Sequence, residues 1–381
     1  MPVDLSPQDP IAEETAPAPL RRVGGAVLPA TDYSTDDGLG LGLYGALYLR
    51  PPDASTDDTS ARIEAQVYRS TRGATNHFLR FDLPRLGPRD LRWDLYAAVE
   101  SWSNGQYFGE GAWEPLTGAD PTFGLDSVRV TTHLRVPLGG RLQAFAGGSG
   151  RDATVEAPAG GLLALEHPVG VEGGFFAQAN AGLLVDTRDQ EPTPRKGVFS
   201  EISIRGGWWS GTGGPFTGFT AVDRRWVPLG KGRAVLANQA VLDTWTGTMP
   251  FFEEPNLGSS REITVGGGGT LRGLPSGRYR GNHALLTDTE VRWNFWSPSP
   301  WGNRLDLFWV PFVDLGRIWS WGQDLQGTDG IHATGGLGFR FAWNRDFVVR
   351  ADYGVGREET GAGYEGSAWS TGLYLTTDHP F

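Results

Sequence analysis

Gly38-Leu-Gly-Leu-Gly-Leu-Tyr-Gly-Ala-Leu-Tyr-Leu49 alternates without a break. Leu39, Leu41, Leu43, Leu47 and Leu49 fall on one side, and Gly40, Gly42, Tyr44, Ala46 and Tyr48 on the other. A strict period of two marks a β-strand with one apolar face. Residues 23 to 33 precede it across Ser34-Thr-Asp-Asp37, a turn-rich link. The two segments are expected to pair as a hairpin.

The same period continues downstream. It appears at Ala61 to Ser70, His77 to Leu86 and Asp90 to Ser103, then at Ser127 to Leu138 and Arg141 to Gly150. It returns at Glu172 to Val185, Val198 to Ile204, Thr217 to Leu229 and Arg233 to Thr246. The last five segments fall near 283–296, 304–318, 332–343, 346–357 and 366–381. Sixteen strands follow, an even number, as closure into a bacterial single-chain barrel requires; closure also removes both sheet edges. Arg, Asp, Glu, Gln and Tyr lie opposite the Leu and Val stripes in nearly every segment. Alternation alone does not say which face meets water. The many long strands and the aromatic residues near strand ends (Trp102, Trp208, Trp226, Trp245, Trp293, Trp301, Trp319, Trp343) point to an inside-out barrel with girdles. In this register His133 faces the lumen.

Composition sets the outer bounds. The chain has 381 residues, 56 glycines, 15 tryptophans and no cysteine, and its formal charge is −11. Rich glycine and aromatics suit an all-β protein with many tight turns. Absence of cysteine excludes a disulfide scaffold and thiolate metal sites. The negative charge argues against nucleic-acid binding. No apolar run is long enough for a transmembrane helix, but barrel strands cross a bilayer without one. Residues 1–22 are rich in Pro, Ala, Asp and Glu and lack periodicity, so a disordered or extended lead-in is expected before a barrel at 23–381. Met1-Pro-Val-Asp-Leu5 has neither the basic start nor the apolar core of a signal peptide.

One segment breaks the alternation, roughly Gly247 to Asn282. It contains Gly266-Gly-Gly-Gly-Thr-Leu271-Arg272-Gly273-Leu-Pro-Ser-Gly-Arg278-Tyr-Arg280-Gly281, with three arginines and no carboxylate. Leu305-Asp-Leu-Phe-Trp-Val-Pro-Phe-Val-Asp-Leu-Gly316 reads as a strand that places Phe312, Asp314 and Gly316 on one face. An arginine reaching in from a loop would fill the gap at Gly316 and pair bidentately with Asp314. Leu-Arg-Gly-Leu, then Gly-Arg-Tyr-Arg-Gly, then a strand with Glu290 and Arg292, then Phe-x-Asp-x-Gly, resembles the bacterial surface antigen family. That superfamily comprises outer-membrane protein assembly factors and two-partner secretion transporters. The resemblance implies that the Arg-Gly tip folds into the lumen between strands 11 and 12. It also implies a latch of Leu271, Arg272, Gly273, Glu290, Phe312, Asp314 and Gly316. Leu274 stands where the family usually has an aromatic residue. Glu290 is the next carboxylate expected for Arg278 and Arg280, which otherwise solvate the lumen.

Asp186-Thr-Arg188-Asp189, followed by Pro-x-x-Gly197 and a strand bearing Glu201, is similar to the same family. A periplasmic turn fixed by side-chain-to-backbone bonds is expected there. The final strand places Leu373, Leu375 and Phe381 on one face, resembling the C-terminal sorting signal of outer-membrane barrels. The family carries polypeptide-transport-associated domains before its barrel, and residues 1–22 leave no room for one, so a short member is expected. The resemblance implies a role in protein insertion into, or translocation across, a bacterial outer membrane. Lipid and lipopolysaccharide would surround it, and separate periplasmic or lipoprotein subunits would serve as partners. A passive or plugged pore is the alternative. No hydrolase, zinc-protease or phosphate-loop motif is present, and neither a metal nor another cofactor nor catalysis is expected.

Overall fold

A computed structural model describes residues 23–49, 60–87, 89–109, 119–190, 193–260, 263–300, 304–322, 330–343, 347–358 and 368–376. Sixteen antiparallel strands close into a barrel in chain order. They are β1 (Val23–Ser34), β2 (Gly38–Leu49), β3 (Ala61–Ser70), β4 (Thr75–Leu86), β5 (Leu91–Gln106) and β6 (Thr122–Gly139). Next come β7 (Leu142–Glu156), β8 (Gly174–Asp186), β9 (Gly197–Trp209), β10 (Phe216–Leu229) and β11 (Ala234–Gly247). After the insert come β12 (His283–Trp296), β13 (Leu305–Trp319), β14 (Ile331–Trp343), β15 (Phe347–Glu358) and β16 (Ala368–Thr376). Among its described residues the insert carries a two-residue ladder, Asn256–Leu257 against Ile263–Thr264, and an isolated bridge between Arg272 and Leu274. A short helix, α1 (Leu162–Glu166), lies in the link between β7 and β8. The lead-in 1–22, Trp301 and Phe381 lie outside the described residues.

The apolar stripes face outward. Leu41, Leu43, Val67, Val99, Val128 and Ile204 are exposed, while Glu64, Glu100, Arg151, Glu201 and Asp288 on the alternate positions are buried. Such a surface is stable only when hydrocarbon is the outer solvent. The chain is therefore an outer-membrane β-barrel. Links 107–121, 157–173 and 248–282 leave from one rim, and the short links 140–141 and 230–233 from the other. Transmembrane barrels keep short turns on the periplasmic side, so the long links are extracellular.

Several strands run past the stretches where the sequence alternates as expected. β6 starts at Thr122 rather than Ser127, and β7 continues to Glu156. There the polarity inverts: Phe123, Leu125 and Ala153 point inward and are buried, while Asp126, Asp152 and Thr154 point outward. Beyond the bilayer the outer face meets water, so the ladder persists while the membrane pattern ends. The inward apolar residues build a dome over the extracellular mouth. Tyr107, Phe123, Leu162, Phe176, Trp245 and Phe251 are among its members. Phe251 meets Tyr107, Phe123 and Phe252 edge-on, with centroids 5.1 to 5.5 Å apart, a favoured aromatic geometry. Three of the expected girdle residues belong inside, and Trp102 packs against the dome beside Leu125. Trp245 is part of the dome, and Trp226 packs in the lumen with Phe145, Leu184 and Phe199. Their position near strand ends is right, but the two-residue period puts them on the lumenal face.

Candidate functional site

The tip of the insert needs backbone conformations that ordinary residues avoid. Gly266, Gly267 and Gly273 have φ of 82°, 72° and 112°, and Leu271 sits at 47°. Thr270 Oγ1 accepts the Gly266 N–H at 2.9 Å and donates to the Thr264 carbonyl at 2.8 Å. The tip then presses backbone to backbone against β15. A Cβ on Gly354 would lie 2.3 Å from the Arg272 carbonyl oxygen, and one on Gly273 would lie 2.8 Å from the Gly354 carbonyl carbon. Glycine is thus required on both sides of this contact.

That approach delivers Arg272 to the wall. Its Nε and Nη2 donate to Asp314 Oδ2 and Oδ1 at 2.9 and 2.8 Å, and its own backbone N–H donates to Oδ2 at 3.0 Å. Nη1 reaches Glu290 Oε2 at 2.9 Å and Asp352 Oδ2 at 3.2 Å. The guanidinium lies over the Phe312 ring, 3.6 Å from its centroid. Arg272 and both aspartates are fully buried. Arg292 Nε donates to Glu290 Oε1 at 2.7 Å, Arg340 bridges Asp352 and Glu290, and Arg350 Nε stands 3.8 Å from Asp352. Charges taken this far from water are tolerated only when paired and hydrogen-bonded.

Every residue of the expected latch is therefore placed in one neighbourhood. A Cβ on Gly316 would sit 2.9 Å from Leu271 Cδ1, so the gap on β13 is filled by that leucine. Leu271 packs with Leu286, Ile318 and Tyr279. Asp352 and Arg340 were not singled out by the sequence. Their only signal is glycine: a Cβ on Gly338 would meet Asp352 Oδ1 at 2.1 Å. Arg278 and Arg280 do not solvate the lumen, since both are buried. Arg278 stacks on Phe108 and Tyr279. Arg280 donates to the carbonyls of Phe251 and Gln106 at 3.3 and 3.2 Å, at the underside of the dome.

The insert is held at two further patches that the sequence did not reveal. Ser260 donates its backbone N–H to Glu201 Oε1 at 2.7 Å, and its hydroxyl bonds the same carboxylate. Asp243 on β11 accepts the Gly258 N–H at 3.1 Å, Arg205 Nη2 at 2.6 Å and the Thr220 hydroxyl at 2.5 Å. Across the barrel, Arg151 joins Glu253 of the insert at 2.8 Å to Glu100 of β5 at 3.1 Å. Three charged patches on different arcs of the wall thus grip one segment. His133, on β6, faces the lumen as expected, 3.5 Å from both Asp94 and Asn180.

At the periplasmic rim, Arg188 donates two bonds to Asp186, at 2.9 and 2.6 Å, and lies over Phe199. Asp189 Oδ1 accepts the N–H groups of Arg195 and Lys196 at 3.0 and 3.3 Å. Gly197 has φ of 114°, and a Cβ there would meet the Thr187 carbonyl oxygen at 2.3 Å. On β16, Leu373 and Leu375 point outward and Tyr374 is buried on the lumenal side.

The sheet closes at a seam between β1 and β16. β1 and β2 pair along their whole length, from Val23–Leu49 to Ser34–Gly38. Among the described residues, β1 and β16 pair only at Tyr33–Leu375 and Ser34–Tyr374. The insert touches both sides of this seam. Gly273 N–H donates to the Tyr374 hydroxyl at 3.2 Å, and Ser276 N–H donates to Asp36 Oδ2 in the β1–β2 turn at 3.3 Å.

No protein-family model matches the chain, and no curated protein is similar to it in sequence. Solved structures share its fold. The crystal structure of BamA from Haemophilus ducreyi lacking POTRA domains 1–3 superimposes with a TM-score of 0.58 at 13% identity, over 93% of this chain and 70% of that one. CdiB from Acinetobacter baumannii gives 0.56 at 14%, over 94% and 60%. CdiB from Escherichia coli gives 0.57 at 13%, over 95% and 63%. The chain spans less than two thirds of either CdiB chain. At these identities what is shared is the fold, the sixteen-stranded barrel of the superfamily that the loop motifs resemble.

Proposed function

We propose that the chain acts in inserting proteins into, or moving them across, the bacterial outer membrane. The observation that carries this reading is the seam. A strand whose backbone groups lack a partner is a template for another strand. Along β1 the stretch from Val23 to Asp32 pairs with β2, and the insert touches both sides of the β1–β16 seam, at Asp36 and Tyr374. The insert and the dome both reach into the lumen. The barrel fold shared with BamA and CdiB adds support for a transporter or assembly factor over an enzyme.

A cysteine pair at Tyr33→Cys and Leu375→Cys tests this. These residues face each other across the seam, within the reach of a disulfide. Oxidised cells that carry only this variant are expected to lose outer-membrane or surface proteins from their proteome, and reductant is expected to restore them. An unchanged proteome under oxidation would sink the seam reading.

Partners belong to the same proposal: separate periplasmic or lipoprotein subunits deliver the client. Purification of the tagged barrel from outer membranes in mild detergent is expected to bring down such subunits in stoichiometric amounts. A lone, heat-modifiable barrel would favour the second reading, a passive barrel plugged by its own loop. The three charged grips on the insert are what favour that alternative.

A further inference from the structure

Gln190 and Thr193 to Arg195, between β8 and β9, lie beneath one sector of the lumen. Pro194 is buried against the periplasmic ends of β11 to β15, and Arg195 bonds the Gly232 carbonyl in the β10–β11 turn. Between these residues and Val235, Phe308, Ala342 and Val348 lies a partly open cavity of about 40 Å³. That is room for about three water-sized groups. Arg292 and Arg340 form its other wall, together with Asp306.

The charge of that wall is positive. Arg304 donates to both oxygens of Asp306, at 3.0 and 2.9 Å, and Asn294 adds a bond at 3.0 Å, so this carboxylate is satisfied. Above the cavity, Arg272, Arg292, Arg340 and Arg350 meet Glu290, Asp314 and Asp352, and Asp288 stands beside Asp314. Arg340 is 1% exposed, and its Nε has no hydrogen-bond partner among the described residues. A buried donor in this state gains from an acceptor. The apolar residues opposite suit a short hydrocarbon stem.

We propose that this cavity binds a carboxylate on a short aliphatic stem: the Glu or Asp side chain of an acidic peptide, presented by a separate periplasmic protein. The choice of a separate protein rests on the partner reading above. Bound there, the carboxylate lies against Arg340, next to the groups that hold Arg272. The periplasmic side of the barrel thus acquires a port that touches the loop latch.

The test uses the full chain in detergent micelles and a fluorescein-labelled peptide of alternating Glu and Ala, with its Gln–Ala counterpart as control. Anisotropy is expected to show binding of the Glu peptide and at least about tenfold weaker binding of the Gln peptide. Ala342→Leu fills the cavity without touching a charge, and Arg340→Met removes the donor; each is expected to weaken binding by about tenfold or more. Heat-modifiable migration checks that each variant folds, and Ala342→Leu decides the matter if Arg340→Met does not. Equal binding of the two peptides, or unchanged binding by Ala342→Leu, overturns the proposal. A further variant converts Asp4, Asp9, Glu13 and Glu14 of the chain's own lead-in to amides. If the peptide binds only to that variant, the occupant is the lead-in and the separate partner falls. Binding equal to the parent supports the separate partner. Because binding is read directly, its failure leaves the seam experiment standing, and the reverse holds too.

Discussion

Arg272→Ala is expected to free the loop tip from the wall, expose Arg278 and Arg280 to trypsin and raise the conductance of the barrel in planar bilayers. The substitution leaves Asp314, Glu290 and Asp352 buried with one guanidinium fewer and strips Phe312 of its stacked partner. Removing one member of a buried ion pair costs about 3–5 kcal/mol. At about 1.4 kcal/mol per factor of ten, the equilibrium constant for latching falls by roughly two to three and a half orders of magnitude. The base of the insert stays attached through Glu201, Asp243 and Arg151. Cleavage is therefore expected within 266–281 and not throughout 248–282. Arg272→Lys keeps the charge but cannot fork onto both oxygens of Asp314 while reaching Glu290, so it recovers only part of the protection. A variant as trypsin-resistant and as closed as the parent would show that this cluster does not hold the tip.

The second large effect comes from a single methyl group and no charge. Gly354→Ala puts a Cβ 2.3 Å from the Arg272 carbonyl oxygen, and the obstacle is backbone on both sides. Neither β15 nor the tip has a flexible side chain to move aside. Overpacking of this kind typically costs about 1–3 kcal/mol, and the tip has solvent to escape into. The expected phenotype is that of Arg272→Ala, with all the cluster's charges intact. Combining the two substitutions is expected to add little, since both release the same contact. If Gly354→Ala keeps the parent's protease pattern, the close backbone approach is dispensable and the ion cluster alone secures the tip.

The barrel was legible because lipid imposes a simple rule on one face of every strand. Leu39, Leu41 and Leu43 could only be read one way once closure was inferred. The rule fails where the bilayer ends, which is why the upper parts of β6 and β7 escaped notice. There Phe123 and Leu125 serve the dome, and Asp126 meets water. Arg272 and Asp314 stood out because a glycine-rich, arginine-bearing segment without period faces a strand with a carboxylate beside a gap. Asp352 and Arg340 were hidden because lumenal charges are common on every strand, and only the register sets these two beside Glu290. Glu201 and Asp243 were hidden for a related reason. Their partners are backbone N–H groups of Ser260 and Gly258, and a sequence does not advertise where a loop's amides will point. The tryptophans near strand ends misled at Trp102, Trp226 and Trp245, because girdle position along a strand says nothing about which face is occupied.

The contacts of the insert with both sides of the seam bear on how the molecule comes into being. Gly273 meets Tyr374 across 101 positions of chain, and Ser276 meets Asp36 across 240. Contacts so distant in sequence form late, after the costly loop closures they depend on. A sheet that has not yet curled round has no Tyr374 beside Asp36, and the tip then has nowhere to settle. Seating of the tip therefore marks the end of maturation, as a bolt marks a door already shut. In a pulse-chase experiment the disappearance of trypsin sites at Arg278 and Arg280 would time that moment strand by strand. Nascent chains stalled before β16 would stay cleavable, however complete the rest of the sheet.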